Sequence, residues 1–388
     1  MSLNSCSINN IDIVPVQTKQ QLKLFIQLPR LLYKGLSGYV PPLDWQESSL
    51  LDPKKSAFFR YGSAKYFIAY KNHQPVGRIS AQIDPNALRQ WKEPVGLFGA
   101  LDAIDDLCVV KKLIDAATKW LKHNGMEKIR GPYTLNANSE IGIMITGQNA
   151  LPTVAIPWHP TWLHHHIEAV GLEKAMDLLS YQMKFGPRAK QAHKIPAGLK
   201  MGCGKLGNIT TRKLNTKEIA RDGEILRQLY NDAWHDTWGF VPLTSIEMSV
   251  LIKDLKSMLK PDNFVLVEQN YIPVAVALVI PNIYDLIIDI GPDPSLLGYS
   301  KLIYRILRHQ FHSARVILLG ISGSIRDTAL GALMPSLVIS ELFERGEVLP
   351  YKTIELGWIL ETNHGMRNLI ERIVPEPNKI HRMYEMKI

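Results

Sequence analysis

One order of segments is written twice along this chain, and the repetition limits the fold more than any single motif does. In the first half two extended runs, "AKYFIAY" (Ala64 to Tyr70) and "PVGRISAQI" (Pro75 to Ile83), flank Asn72-His73-Gln74, a pattern that predicts a hairpin. A short strand, "GLFGALDA", leads into Leu107 to His123, where Val110, Leu113, Ile114, Ala117, Trp120 and Leu121 fall on one helical face and Gly125 supplies the stop. The strand "KIRGPY" follows, then a helix from Thr161 to Val170 closed by Gly171, and a strand through Leu178 to Phe185. In the second half, helical spacing over Lys217 to Ala233 and Ser245 to Leu259 precedes "FVLVEQNYIPVAVALVI", again strand, short turn, strand. A helix over Lys301 to Phe311 comes next, then the strand Val316 to Gly320, a helix over Leu333 to Phe343 and the strand "YKTIELGWIL". A short helix over Gly365 to Ile373 and the strand "KIHRMYEMK" close the chain. Each half is therefore expected to be α/β: a mixed, mostly antiparallel sheet flanked by helices.

A length of 388 residues favours two domains over one core. The expected boundaries are 1–185 and 208–388, joined by a Gly-, Lys- and Pro-rich connection over Gly186 to Gly207. Apolar content of 46% with 21% charge excludes wholesale disorder, and a net charge of +9 suits anionic partners. The densest basic stretch, "GPRAKQAHK", lacks interleaved aromatics, which argues against nucleic acid. Cys6, Cys108 and Cys203 show no paired spacing, so neither zinc nor a disulfide framework is expected, and Cys108 reads as an inert thiol. The histidines of "HPTWLHHH" point in different directions on a helix and do not make a metal site. The polar start of the chain carries no secretion signal, and no run reaches the roughly 20 apolar residues of a spanning helix. A soluble, cytoplasmic protein is expected, with peripheral membrane contact left open; oligomeric state is not legible.

The segment "GISGSIRDTALGAL" (Gly320 to Leu333) links a strand to a helix through a sharp turn. Unpaired N–H groups at such a helix start, together with the helix dipole, favour an anion such as a pyrophosphate. The first half has no counterpart. "ALDAIDDLCVV" places Asp102, Asp105 and Asp106 where donors would be needed, and three acids repel a phosphate.

At this point the chain resembles the GNAT superfamily of acyl-CoA-dependent N-acyltransferases, and in particular its bacterial members with two such folds in tandem. The family turn runs Gln or Arg, two variable residues, Gly, one variable residue, then Gly or Ala. Here Arg326 and Gly331 match, whereas Ala329 stands where Gly is usual and brings a methyl group toward the backbone approach. "YNDAWHDTWGFVPLT" (Tyr230 to Thr244), "ELGWILETNHGM" (Glu355 to Met366), "KIHRMYEM" (Lys379 to Met386), "YFIAYKNHQPVGRISAQID" and "IRGPYTLNANSEIGIMITG" extend the likeness over most of the chain. The resemblance implies an acyl-CoA co-substrate, no metal, and direct attack by an amine without a covalent enzyme intermediate. Some bacterial ceramide synthases look like members of the same group, which implies a lipid amine and a long-chain acyl donor as one version. A degenerate fold that binds a ligand or partner without turnover is the alternative.

On this reading Arg326, Ala329, Leu330, Gly331 and Asn363 hold the cofactor; equally, Arg326 is a surface arginine, Gly331 a packing glycine and Asn363 a helix cap. Glu355 is the candidate base and Tyr384 the candidate acid for the leaving thiolate, against a glutamate that faces solvent or pairs with an arginine and a core tyrosine. Trp234, Trp238 and Phe240 wall a substrate pocket or lock the domains together. Asn138 and Glu140 line a cleft or shape an ordinary turn.

Overall fold

Two hairpins organise the molecule because their turns demand the left-handed conformation and their sequences tolerate it. Asn72 and His73 have φ of 50° and 62°, and Asn270 and Tyr271 have φ of 50° and 66°, the two-residue geometry whose twist matches the flanking strands. A computed structural model describes residues 10–185 and 208–388; the expected connection over Gly186 to Gly207 lies outside them. The chain divides into two compact units.

In the first unit, β1 (Ile11–Pro15) and α1 (Lys19–Leu32) precede α2 (Asp44–Leu51), the hairpin β2 (Ser63–Lys71) and β3 (Gln74–Ile83), α3 (Pro85–Trp91) and β4 (Val95–Ala103). Then come α4 (Leu107–His123), β5 (Lys128–Gly131), β6 (Ile143–Thr146), α5 (Thr161–Ala169) and β7 (Glu173–Lys184), whose residues pass from the first unit to the second after Leu179. Thr18 caps α1 in a reciprocal box with Gln21, and the helix continues through Pro29. The α4 face foreseen from spacing is buried: Val110, Leu113, Ile114, Ala117 and Leu121 pack on Ile79, Ala81, Phe98 and Ile129. On the sheet's other face, Phe25, Leu28, Leu51, Phe58, Tyr66 and Leu135 form a separate cluster.

The second unit begins with β8 (Ile209–Arg212), α6 (Ile219–Ala233) and α7 (Ser245–Leu255), followed by the hairpin β9 (Phe264–Gln269) and β10 (Ile272–Pro281). The chain continues through α8 (Tyr284–Ile287), α9 (Leu296–Leu307), β11 (Ser313–Ile321), α10 (Gly323–Arg326), α11 (Ala329–Gly346), β12 (Thr353–Leu360) and α12 (His364–Glu371). Strand order is β12-β11-β10-β9-β8. Leu330, Met334 and Val338, spaced by four, set α11 on Val265, Val267, Val274, Ala275 and Ala277 of β9 and β10.

The closing strand, β13 (Lys379–Lys387), belongs to the first unit and not to the second. It pairs antiparallel with β5, Tyr384 opposite Gly131 and Met386 opposite Ile129, and with β6. The first unit thus has the order β1-β2-β3-β4-β5-β13, with β6 also on β13.

Candidate functional site

In a parallel pair, strands that stop exchanging hydrogen bonds while both continue leave an opening between them. The pair β11 and β12 does this. Their ladder holds Ser313 to Val316 against Thr353 to Leu356 and goes no further, although β11 runs on to Ile321 and β12 to Leu360. Beyond the ladder β11 is held from its other side by β10, through Leu319 against Ala277, Gly320 against Val276 and Ile321 against Ala275. Opposite Leu278 and Val279 the register skips Ile317, an extra residue that bends β11 where it leaves β12.

The turn beyond β11 forms a short α10 and then the start of α11. Thr328 caps α11, its Oγ1 accepting from the Gly331 amide at 3.2 Å, while the Thr328 amide donates to Ile325 O at 3.0 Å. Among the described residues the amides of Ala329 and Leu330 have no partner, so two donors at the positive end of an 18-residue helix stay open. Leu330 is otherwise buried in the core, so only its amide is offered. Gly331 has the packing role: a Cβ there would lie 2.1 Å from Ile325 O and 2.6 Å from Arg326 O. Arg326 is exposed, and its Nη2 donates to Ala233 O at 2.5 Å.

Other donors in the same turn are taken. Asp232, at the end of α6, accepts from Ser322 Oγ at 2.7 Å and from the Gly323 amide at 2.8 Å, and Ser322 Oγ accepts from the Ser324 amide. A carboxylate therefore occupies the start of α10, and the region left for an anion narrows to the first turn of α11. Sequence reading passed over Asp232 as part of a helix; its position one turn before an aromatic loop was the available signal. The loop itself is tied by Asn231, whose side chain both donates to Leu243 O and accepts from the Leu243 amide. Trp234 covers Gly320 of β11, where a Cβ would meet its ring at 2.6 Å. Trp234 and Phe240 are joined through Tyr230, with ring centroids 5.1 and 5.6 Å away; Trp238 stands partly exposed in the same loop.

Glu355 lies on β12 opposite Arg315 of β11, one residue before the strands part, and both are buried. Arg315 Nε donates to Gly357 O at 2.8 Å. Asn363 caps α12, accepting from the Met366 amide at 3.1 Å. Tyr384 belongs to the first unit, where it is part of the core, and its hydroxyl donates to Glu168 at 2.9 Å. Burial, then Glu168, push its pKa upward.

Asn138 and Glu140 also lie in the first unit, in a loop that folds on itself. The Thr134 amide donates to Glu140 O at 2.8 Å, and Asn136 Oδ1 accepts from the Asn138 amide and from Ser139 Oγ. Nearby is a polar group that sequence reading missed. Arg78 and Asp102, both buried, are joined Nε to Oδ2 at 2.8 Å, and Arg78 Nη1 also reaches Phe25 O. Asp102 is thus an internal partner of Arg78 on β4, not an acid at a turn; of the other two acids, Asp106 caps α4 and Asp105 meets His166 at 2.7 Å. Burial and Glu140 push the Glu47 carboxyl up to about 8, and burial lowers His159 to about 4. A lone Arg and Asp inside apolar strands were the signal for this group.

Cys108 is disulfide-bonded, which corrects the expected free thiol. Among the described residues no helix is long and apolar enough to cross a membrane, and no group of three His, Cys, Asp or Glu is placed to hold a metal ion.

No protein-family model matches the chain. Protein YghO of Escherichia coli (strain K12) is 34% identical over 375 residues, 95% of this chain and 94% of that protein. A bacterial ceramide synthase of Caulobacter vibrioides is 29% identical over 97% of both chains. Among solved structures, a tandem GNAT protein from the clavulanic acid biosynthesis pathway superposes with a TM-score of 0.54 at 10% identity, covering 97% of this chain and 98% of that one. The chain thus shares the tandem GNAT fold of that structure, and with 34% identity to YghO over nearly the full length of both proteins it belongs to the same family as YghO.

Proposed function

We propose that this protein transfers an acyl group from acyl-CoA to an amine, and that the second unit holds the donor. The observation that carries the reading is the parting of β11 and β12 beside an α11 start with two open amides. The Ala329 and Leu330 amides and the exposed Arg326 guanidinium suit the diphosphate of CoA, since the dipole and the guanidinium are both attractive to it. Gly331 lets the turn close on α11, and Asn363 holds α12 in place. The acyl chain would enter between the strands, with Trp234, Trp238 and Phe240 along the loop beside Gly320.

The amine nitrogen attacks the thioester carbonyl, the C–S bond breaks, and the nitrogen gives up a proton. Glu355 at the root of the opening is assigned as the acceptor of that proton. The thiolate takes its proton from solvent, because Tyr384 holds its own against Glu168. A lipid amine as acceptor is favoured by the relative named a ceramide synthase. Binding without turnover is the competing reading, and Asp232 seated on the Gly323 amide favours it.

The test is release of CoA thiol from acetyl- and long-chain acyl-CoA with a panel of small and lipid amines, run alongside the Ala329→Pro variant. Ala329 is the first residue of α11, and Thr328 before it is extended, with φ −103° and ψ 165°, a conformation that a residue preceding proline adopts. The change deletes one open amide without breaking the helix. Acyl-CoA affinity is expected to fall about 5- to 10-fold, the worth of a hydrogen bond to a charged group, with Tm unchanged. Tight acyl-CoA binding without thiol release from any amine would establish the binding module instead.

A further inference from the structure

Outside the proposed site, α9 shows an apolar surface that nothing in the described chain covers. Of its twelve residues only Leu302 is buried, at 4% exposure, whereas Leu296, Leu297 and Leu307 are 87%, 83% and 75% exposed. Ile303 and Tyr304 are more than half exposed as well, as is Ile288 just upstream. At about 100° per residue, Ile303, Leu296, Leu307, Tyr304 and Leu297 occupy one arc opposite Leu302, with the small Ser300 as the polar residue inside it. Arg308, Lys301 and Arg305 follow on one edge of that arc. No Asp or Glu occurs between Asp293 and Asp327. Lys301 and Arg305 share the upstream Asp289, at 2.6 Å each, and Arg308 lies over the Tyr304 ring at 5.8 Å, so three cations face one acid.

From this placement we propose that α9 docks the protein on an anionic lipid bilayer, its leucines in the acyl boundary and its basic edge at the headgroups. An apolar arc bordered by cations is the pattern of a helix lying in the plane of a membrane surface, and the net charge of +9 adds attraction over a longer range. A second copy fits the same face less well. Antiparallel pairing of two α9 helices would set basic edge beside basic edge, and like charges there repel. The inference does not rest on the transferase reading: a binding module without turnover would dock in the same way.

The experiment is flotation of the full chain with vesicles of phosphatidylglycerol and phosphatidylcholine, and with phosphatidylcholine alone, in low and high salt. The wild type is expected to float with the anionic vesicles and to be partly released by salt. The double variant Leu297→Glu with Leu307→Glu is expected to lose at least tenfold in partition, and Arg308→Gln about fivefold. Tyr271→Ser, which alters an exposed side chain on the β9–β10 turn, serves as control and should float like the wild type. Circular dichroism and light scattering on each variant separate docking from misfolding and from self-association. The proposal fails if the folded wild type stays with the soluble fraction, if the double variant floats equally well, or if the double variant merely turns a dimer into a monomer.

Discussion

In the first unit the parallel pair β4 and β5 exchanges hydrogen bonds from Val95 against Lys128 to Leu97 against Arg130 and then parts; in the second, β11 and β12 part after Val316 and Leu356. The two openings are related by topology and differ in what occupies them. In the first, the chain following β5 closes onto the continuing β4. The Tyr133 amide donates to Phe98 O at 2.7 Å, Gln82 Nε2 donates to Tyr133 O at 2.6 Å, and a Cβ on Gly99 would lie 1.7 Å from that same oxygen. The opening is filled by the protein's own backbone. In the second, β12 continues as a strand to Leu360. The helices differ in the same sense: a carboxylate, Asp106, caps α4 and takes the Cys108 amide, whereas a hydroxyl, Thr328, caps α11. A carboxylate at a helix start neutralises the site an anion would use, and a hydroxyl leaves its field available. One fold therefore serves as structure in one unit and as a candidate site in the other, through the occupant of the opening and the charge of one cap.

The largest effect should come from disturbing the filled opening. Gly99→Ala forces the Tyr133 backbone and β4 apart, and neither is a flexible side-chain end that moves cheaply. Urea denaturation should show a loss of about 3 kcal/mol, the upper part of the range for overpacking. A loss below about 0.5 kcal/mol, within the range of ordinary surface substitutions, would mean that the chain after β5 is not packed as a filler.

A comparable effect, read as rate, should follow from Glu355→Gln at the other opening. If Glu355 takes the ammonium proton, kcat falls about 100-fold or more while Tm holds, because general-base contributions are of that size. Opposition to the buried Arg315 predicts the reverse split, an unchanged rate with a lowered Tm. The amide keeps the side chain's shape, so the two outcomes do not overlap.

How much of this was legible follows from what is local in sequence. The hairpins and the α4 face are set by neighbouring residues, and the helix over Leu107 to His123 is found with the bounds its spacing implies. α9 begins at Leu296 rather than Lys301, because an exposed apolar first turn, Leu296-Leu297-Gly298-Tyr299, does not show the amphipathic spacing of a core-facing helix. Partners distant in sequence left no local sign. "KIHRMYEMK" has strand alternation wherever it pairs, so its place against β5 and β6 was not legible. For the candidate site, the turn and its glycine were legible, but Asp232 was not, since it acts across about 90 residues on Ser322 and Gly323. The Arg78, Asp102, Glu47 and His159 group was hidden for the same reason.

That group gives the comparison its smallest but most specific handle, the dependence of stability on pH. His159 accepts from the Met144 amide at Nδ1 and is held neutral by burial, with its pKa lowered to about 4. Between pH 6.5 and 4 the unfolded chain takes up a proton there that the folded one refuses, so this contribution to stability is full above 6.5 and is lost on acidification. Glu47 has the opposite sense. Its carboxyl, raised to about 8 by burial and by Glu140, keeps its proton in the folded state where the unfolded chain has released it, so stability falls as pH rises from about 4.5 through 8. His309 in the second unit, also lowered to about 4 by burial and by Lys260, steepens the same acid side as His159, which makes the alkaline side the more telling. Calorimetric Tm between pH 4 and 9 should show a maximum near the middle of the range. Glu47→Gln should flatten the alkaline side and leave the acid side as it was, and His159→Gln should soften only the acid side. An alkaline limb that survives Glu47→Gln would mean that Glu47 ionises as freely in the folded protein as in the unfolded chain, and that the polar interior of the first unit is wetter than its packing implies.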